Sequence, residues 1–224
     1  MRRRFFEISS RSLIYLSLAL FYFGATTFKA SAQQLYVMDQ LNKTLWAMNL
    51  DGSARSAVLT FPLYNPYDIT LDAAARKMYW TESDTVMSAN LDGTDQQAVW
   101  QPGPSGFKGI AEDASTGKLY VMDQLNKTLW AMNLDGSARS AVLTFPLYNP
   151  WDIALDAAAG KMYWTVSDTV MSANLDGTDQ QAVWQPGPSG FKGVAIIPEP
   201  TTLHLMALAA SILIALILCQ RKSA

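Results

Sequence analysis

The chain has 224 residues, 50% of them apolar and 16% charged, with a formal net charge of −2. That balance excludes a highly charged disordered chain. One cysteine excludes a disulfide scaffold and a thiolate metal cluster, and a single histidine, His204, excludes a multi-histidine metal site and weighs against a Ser/His/Asp hydrolase.

Residues 1–32 read as an export signal. Arg2, Arg3 and Arg4 form a positive start, an apolar run follows from Leu13 to Phe23, and Ala30-Ser31-Ala32 makes a small-x-small cleavage site. Cleavage after Ala32 would leave Gln33 as the new N-terminus. Arg2-Arg3-Arg4-Phe5-Phe6 also resembles a twin-arginine export motif, but any arginine-rich start yields that match often, so the general secretory route is the better reading, with an uncleaved signal anchor as the alternative.

Residues 33–197 are a repeat. Leu35-Tyr-Val-Met-Asp-Gln recurs as Leu119-Tyr-Val-Met-Asp-Gln, an offset of 84 residues. From Leu35 to Ala111 the two copies differ only at Tyr67/Trp151, Thr70/Ala154, Arg76/Gly160, Glu82/Val166 and Ile110/Val194. A weaker half-repeat lies inside each copy: Leu35-Tyr-Val-Met-Asp against Met78-Tyr-Trp-Thr-Glu, and Asn49-Leu-Asp-Gly-Ser against Asn90-Leu-Asp-Gly-Thr. The unit is therefore roughly 42 residues, present four times, a period that fits four-stranded propeller blades. In the second unit, strands are expected at 67–71, 77–81, 85–91 and 98–101. Asp92-Gly93 between alternating runs is a strong hairpin cue. The fold class expected is all-β: a four-bladed β-propeller of two near-identical 84-residue copies, flanked by a signal peptide and a C-terminal transmembrane helix.

Asn65-Pro66-Tyr-Asp-Ile-Thr-Leu-Asp72, Lys77-Met-Tyr-Trp-Thr-Glu82 and Ala89-Asn-Leu-Asp-Gly-Thr94 resemble the LDL-receptor class B, or YWTD, repeat, and the second copy carries the same pattern from Asn149 to Gly177. The resemblance covers most of residues 35–197. It implies a β-propeller in which the motif aspartate helps to tie blades together. That residue is present as Asp39 and Asp123 and replaced by Glu82 and Val166. The family usually closes with six blades, whereas this chain has four. Residues 191–197 match the innermost strand at 107–112, so the last strand is expected to complete the first blade and close the ring. An open arc that pairs with a second chain is the alternative.

Residues 198–224 hold Pro198-Glu199-Pro200, an apolar run over 203–219, then Arg221 and Lys222. Seventeen helical residues span roughly 25 Å, enough for a bilayer core, and the cations behind them should stay cytoplasmic. This ending resembles the PEP-CTERM sorting signal of Gram-negative bacteria. The resemblance implies an exosortase that cuts near Pro198, Glu199 and Pro200 and passes the protein to the cell surface or extracellular matrix. A plain membrane anchor, leaving a periplasmic protein, is the alternative. His204 and Cys219 lie in this run and are not expected to do chemistry.

Between Gln33 and Ile197 there are ten Lys and Arg against seventeen Asp and Glu, a balance of −7. An acidic surface argues against nucleic acid, whose phosphates need a basic face. Asn90-Leu-Asp-Gly-Thr-Asp95 looks faintly like a calcium loop, but an EF-hand starting at Ser88 needs glutamate where Val99 stands, so a hairpin turn is the better reading. No metal site, cofactor or catalytic set is expected. Asp68 and Asp152, at the ends of inner strands, are candidate ligand-binding residues facing a central channel. So are Trp46, Trp130, Trp100 and Trp184, which could stack on sugar rings. The expectation is a binding or scaffolding module for an extracellular polysaccharide or envelope protein. A hydrolase or lyase using channel carboxylates and a metal is the enzymatic alternative, and a passive matrix component is the third.

Overall fold

The computed structural model describes residues 34–60, 65–145, 149–187 and 190–196. The signal segment 1–32, Pro198-Glu199-Pro200 and the apolar run 203–219 lie outside them. Among the described residues no helix is long and apolar enough to cross a membrane.

The described residues form fifteen strands in four antiparallel sheets, each a blade. Blade 1 holds β1 (Gln34–Asp39), β2 (Thr44–Asn49) and β3 (Ser56–Thr60). Blade 2 holds β4 (Pro66–Asp72), β5 (Lys77–Glu82), β6 (Thr85–Asn90) and β7 (Gln97–Trp100). Blade 3 holds β8 (Phe107–Asp113), β9 (Lys118–Asp123), β10 (Thr128–Asn133) and β11 (Ser140–Thr144). Blade 4 holds β12 (Pro150–Asp156), β13 (Lys161–Val166), β14 (Thr169–Asn174) and β15 (Gln181–Trp184). In blades 2 to 4 the strands follow one another in space from innermost to outermost.

The local reasons lie in the turns and in the packing of both faces. In β5, Met78 to Glu82 are all buried, because a blade lies against each face of the sheet. Hence its near-continuous apolar and aromatic run, where a one-sided sheet would alternate. The Asp-Gly turn after β6 places Gly93 at φ 85° and Asp95 at φ 56°. Asp92 Oδ1 accepts the Thr94 N–H at 3.0 Å, which fixes the turn.

Three buried clusters hold the arc together, one at each joint. Leu45 and Leu59 of blade 1 pack on Met78, Trp80 and Ala89 of blade 2. Tyr79 and Val86 of blade 2 meet Phe107, Ile110, Leu119, Val121 and Met132 of blade 3. Tyr120, Met122, Leu129 and Leu143 of blade 3 meet Ile153, Met162 and Trp164 of blade 4. The Asp-Gly turns mark the same joints. A Cβ on Gly93, Gly136 or Gly177 would lie 2.4, 2.2 or 2.4 Å from the carbonyl oxygen of Val58, Val99 or Val142 on the preceding blade. Only glycine permits that approach together with a positive φ.

The ring expected from the sequence is not closed among the described residues. Blade 1 has three strands, and residues 191–196 form no strand pair with β1. Phe191 N–H does donate to Ser167 O at 3.0 Å, as Phe107 N–H donates to Ser83 O at 3.0 Å. The segment therefore sits in place on blade 4, but β1 does not reach it. Leu119 and Val121 of β9 are both 0% exposed, whereas their copies Leu35 and Val37 in β1 are 41% and 44% exposed. Identical sequence thus has two environments, set by whether an inner strand and a neighbouring blade cover it.

Candidate functional site

The inner strands meet at a paired carboxylate. Asp68, in β4, accepts the N–H of Ile69 with Oδ1 and the N–H of Ile110 in β8 with Oδ2, each at 2.8 Å. Asp152, in β12, repeats this with Ile153 and Val194, again at 2.8 Å. Each aspartate so ties its blade to the next inner segment. The strands run close here: a Cβ on Gly109 would lie 2.8 Å from Asp152 Cα.

Burial and the neighbouring acid disfavour two negative charges. Burial, with the Asp152 charge beside it, pushes the Asp68 carboxyl up to about 7 against the pull of the Ile110 N–H. Burial also raises Asp152, opposed by the N–H groups of Val194 and Ile153. The two act as a coupled pair that holds a proton near neutral pH.

Two lysines line the same cavity, each lying over an aromatic ring. Lys108 Nζ lies 3.1 Å from the centre of the Tyr67 ring and 5.7 Å from that of Trp151. Lys192 Nζ lies 4.6 Å from the Trp151 ring centre. Such cation–π contacts hold an ammonium where it retains hydrogen-bonding capacity. These six side chains, with Gln40 and Gly109, line an open cavity of about 430 Å³. It presents two acceptors, two cationic donors and two aromatic faces to a polar ligand. Among the described residues no three His, Cys, Asp or Glu side chains come together as a metal site.

Of the candidate residues, the structure brings Asp68 and Asp152 together and places the tryptophans elsewhere. Trp100 packs on Phe107 at 5.0 Å and edge-on to Trp130 at 5.4 Å, inside the joint between blades 2 and 3. Trp46 lines an open face of blade 1 with Val37, Met48 and Arg55. Trp184 is 56% exposed and packs on Phe191 at 5.0 Å. The other repeated acids serve turns: Asp72 accepts the Ala75 N–H at 2.7 Å, and Asp156 the Ala159 N–H at 3.0 Å. Asp123 accepts the Gly106 N–H at 3.1 Å, which ties the entry of β8 to the end of β9.

Sequence reasoning did not single out Tyr67, Lys108, Trp151 or Lys192 as site residues. The sign was the recurrence of Phe-Lys-Gly at 107–109 and 191–193, at the same inner-strand position that Pro-Tyr-Asp and Pro-Trp-Asp hold at 66–68 and 150–152.

Comparison with known proteins agrees with the propeller and with the YWTD-type resemblance. No protein-family model matches the chain. It is 28% identical over 152 residues to Protein cueball of Drosophila erecta, covering 63% of this chain and 23% of that protein. It is 29% identical over 142 residues to low-density lipoprotein receptor-related protein 5 of Mus musculus, covering 58% of this chain and 9% of that protein. The chain thus spans about a quarter or less of the length of these relatives. Among solved structures, a chain of the nidogen–laminin complex superposes with a TM-score of 0.69 at 21% identity, over 75% of this chain and 65% of that one. Virginiamycin B lyase from Staphylococcus aureus gives a TM-score of 0.59 at 17% identity, over 74% and 57%. The architecture is a β-propeller arc.

Proposed function

We propose that residues 33–197 form an exported binding or scaffolding module that takes a polysaccharide or protein ligand in the inner-strand cavity. The convergence of Asp68, Asp152, Lys108, Lys192, Tyr67 and Trp151 around about 430 Å³ of open space carries this reading. A ligand bearing hydroxyl or acidic groups draws the lysines from the rings and exposes those rings for stacking. The likeness to a receptor-related protein and to a chain from a two-protein complex supports a binding role. The test is capture of envelope polysaccharides and proteins on the immobilised chain, beside the Lys108→Ala/Lys192→Ala variant. At least tenfold weaker capture by the variant is expected. Equal capture by both sinks the cavity as the site.

The export route belongs to the same proposal. The signal at 1–32 directs secretion, and an exosortase cuts near Pro198-Glu199-Pro200, releasing the arc to a bacterial cell surface or matrix. Intact mass of the protein from its host tests this: a start at Gln33 and an end near the motif are expected, and a retained 203–219 run refutes processing.

The carboxylate pair favours one second reading. An acid held near neutral pKa beside a second carboxylate suits general acid–base catalysis of hydrolysis or elimination. Any turnover found should vanish in Asp68→Asn and Asp152→Asn. Turnover that survives both would remove the pair from catalysis.

A further inference from the structure

The open ends of the arc are the two halves of a joint already built once inside the chain. At the joint between blades 2 and 3, Val99, Trp100 and Phe107 fill a socket that includes Val121, Trp130 and Met132. Arg139 lies 5.7 Å over the Trp100 ring. The copies of the filling residues are Val183, Trp184 and Phe191 at the end of blade 4. The copies of the socket are Val37, Trp46, Met48 and Arg55 on blade 1.

Both halves stand ready and apart. The Trp184 and Phe191 rings pack at 5.0 Å, the same distance as Trp100 and Phe107. Val183 is 55% exposed, against a half-buried Val99. The socket on blade 1 is an open cavity of about 660 Å³. Three smaller signs agree. A Cβ on Gly136 would strike Val99 O, whereas one on its copy Gly52 meets nothing within 4 Å. One on Gly106 would lie 3.0 Å from Leu125, and one on its copy Gly190 meets nothing within 4 Å. Asp123 Oδ1 accepts both the Gly106 and Asn126 N–H groups, whereas its copy Asp39 accepts the Asn42 N–H with the same oxygen.

The plug cannot swing to its own socket without losing its seat on blade 4. Phe191 N–H is bonded to Ser167 O and Val194 N–H to Asp152 Oδ2. Bringing blade 1 round instead would distort three buried joints. We propose that the plug of one copy, Val183, Trp184 and the 191–196 segment, seats in the blade 1 socket of a second copy of this chain. Residues 191–196 then supply the missing inner strand of blade 1, in the register that β8 takes on β9. That register pairs Ile110 with Val121, so Val194 pairs with Val37 of the second copy. The contact is head to tail and repeats identically at each seam.

Disulfide trapping tests this on the full 224-residue chain in mild detergent, with Cys219→Ser as background. Chains carrying Val37→Cys are mixed with chains carrying Val194→Cys and oxidised. A cross-linked pair of the two variants is the expected product, and its absence overturns the proposal. In the double variant, cross-links between chains are expected, and a single-chain disulfide overturns the proposal in favour of closure within one copy. A second measurement needs no cysteine. The unmodified chain should sediment as more than one copy, and Trp184→Asp should return it to one. An unmodified chain that sediments singly under the cross-linking conditions also overturns the proposal.

Discussion

Trp80 donates its indole N–H to Glu82 Oε2 at 3.1 Å, in a buried pair two residues apart on β5. In the second copy Val166 takes the place of Glu82, and Trp164 Nε1 is buried with no hydrogen-bond partner. One substitution between otherwise matching strands therefore removes an acceptor and spares the fold a buried carboxylate, whose pKa at Glu82 is raised by that burial. Val166→Glu should supply the missing acceptor, a gain of about 1 kcal/mol while the acid is neutral. Its folded pKa should be raised like that of Glu82. The gain is then present below the usual carboxylate range and lost as pH rises through the raised value. Urea unfolding across that range checks it: a variant whose stability rises with pH contradicts the assignment.

Asp68 predicts a pH dependence of the native chain. Its carboxyl is held up to about 7 from 3.8, so the folded state binds this proton more tightly than the unfolded one. Stability from this group is full below the unfolded value and falls as pH rises through about 7. Asp68→Asn removes the charge but keeps only one of the two acceptor oxygens, so one of the Ile69 and Ile110 N–H groups loses its partner at every pH and the pH slope is the readout. The variant should show a flatter melting temperature across this range, with a gain on the alkaline side of roughly 2–4 °C per kcal/mol of relieved repulsion. An unchanged pH slope would count against the pair.

Gly136 and Gly52 occupy the same turn at φ 79° in different surroundings. Gly136→Ala must both hold a left-handed backbone and push against Val99 O. It should cost about 2–4 kcal/mol, adding roughly 1–2 for the backbone to 1–2 for crowding. Gly52→Ala bears only the backbone cost of about 1–2 kcal/mol. Chemical denaturation at high dilution, where chains are single, separates the two.

The tryptophans at the two ends should differ in the same way. Trp100→Ala opens a cavity between blades 2 and 3 and should cost about 3 kcal/mol or more. Trp184, exposed on the last strand, should cost under about 1 kcal/mol in the dilute single chain. Equal losses would mean that Trp184 is already covered by its own chain.

Much of the blade architecture was legible because turn chemistry and strand periodicity coincide. The strands expected at 67–71, 77–81, 85–91 and 98–101 are found at Pro66–Asp72, Lys77–Glu82, Thr85–Asn90 and Gln97–Trp100. Asp68 and Asp152 were legible as inner-strand acids. Lys108 and Lys192 were not, because a lysine in a strand usually points to solvent, and only the blade stacking reveals the rings beneath them. The closing strand was misplaced for a physical reason. Residues 191–194 repeat β8 almost letter for letter, but pairing also needs the partner strand within reach. Reach depends on the angle at each joint, which no local pattern encodes.

The near-identity of β1 and β9 also bears on how the chain reaches this arrangement. The partner sequence of β8, Leu-Tyr-Val-Met-Asp in β9, stands a second time in β1, so the folding chain offers β8 two matching strands. A turn of four residues separates β8 from β9, and 67 residues separate it from β1. Closing the longer loop costs roughly 2–3 kcal/mol more, so chain entropy, not side-chain chemistry, selects the native hairpin. That preference weakens when chains crowd, because a neighbour's β1 needs no loop at all. Refolding yield should therefore fall steeply with protein concentration, and recovery by dilution, with no change of solvent, should restore it.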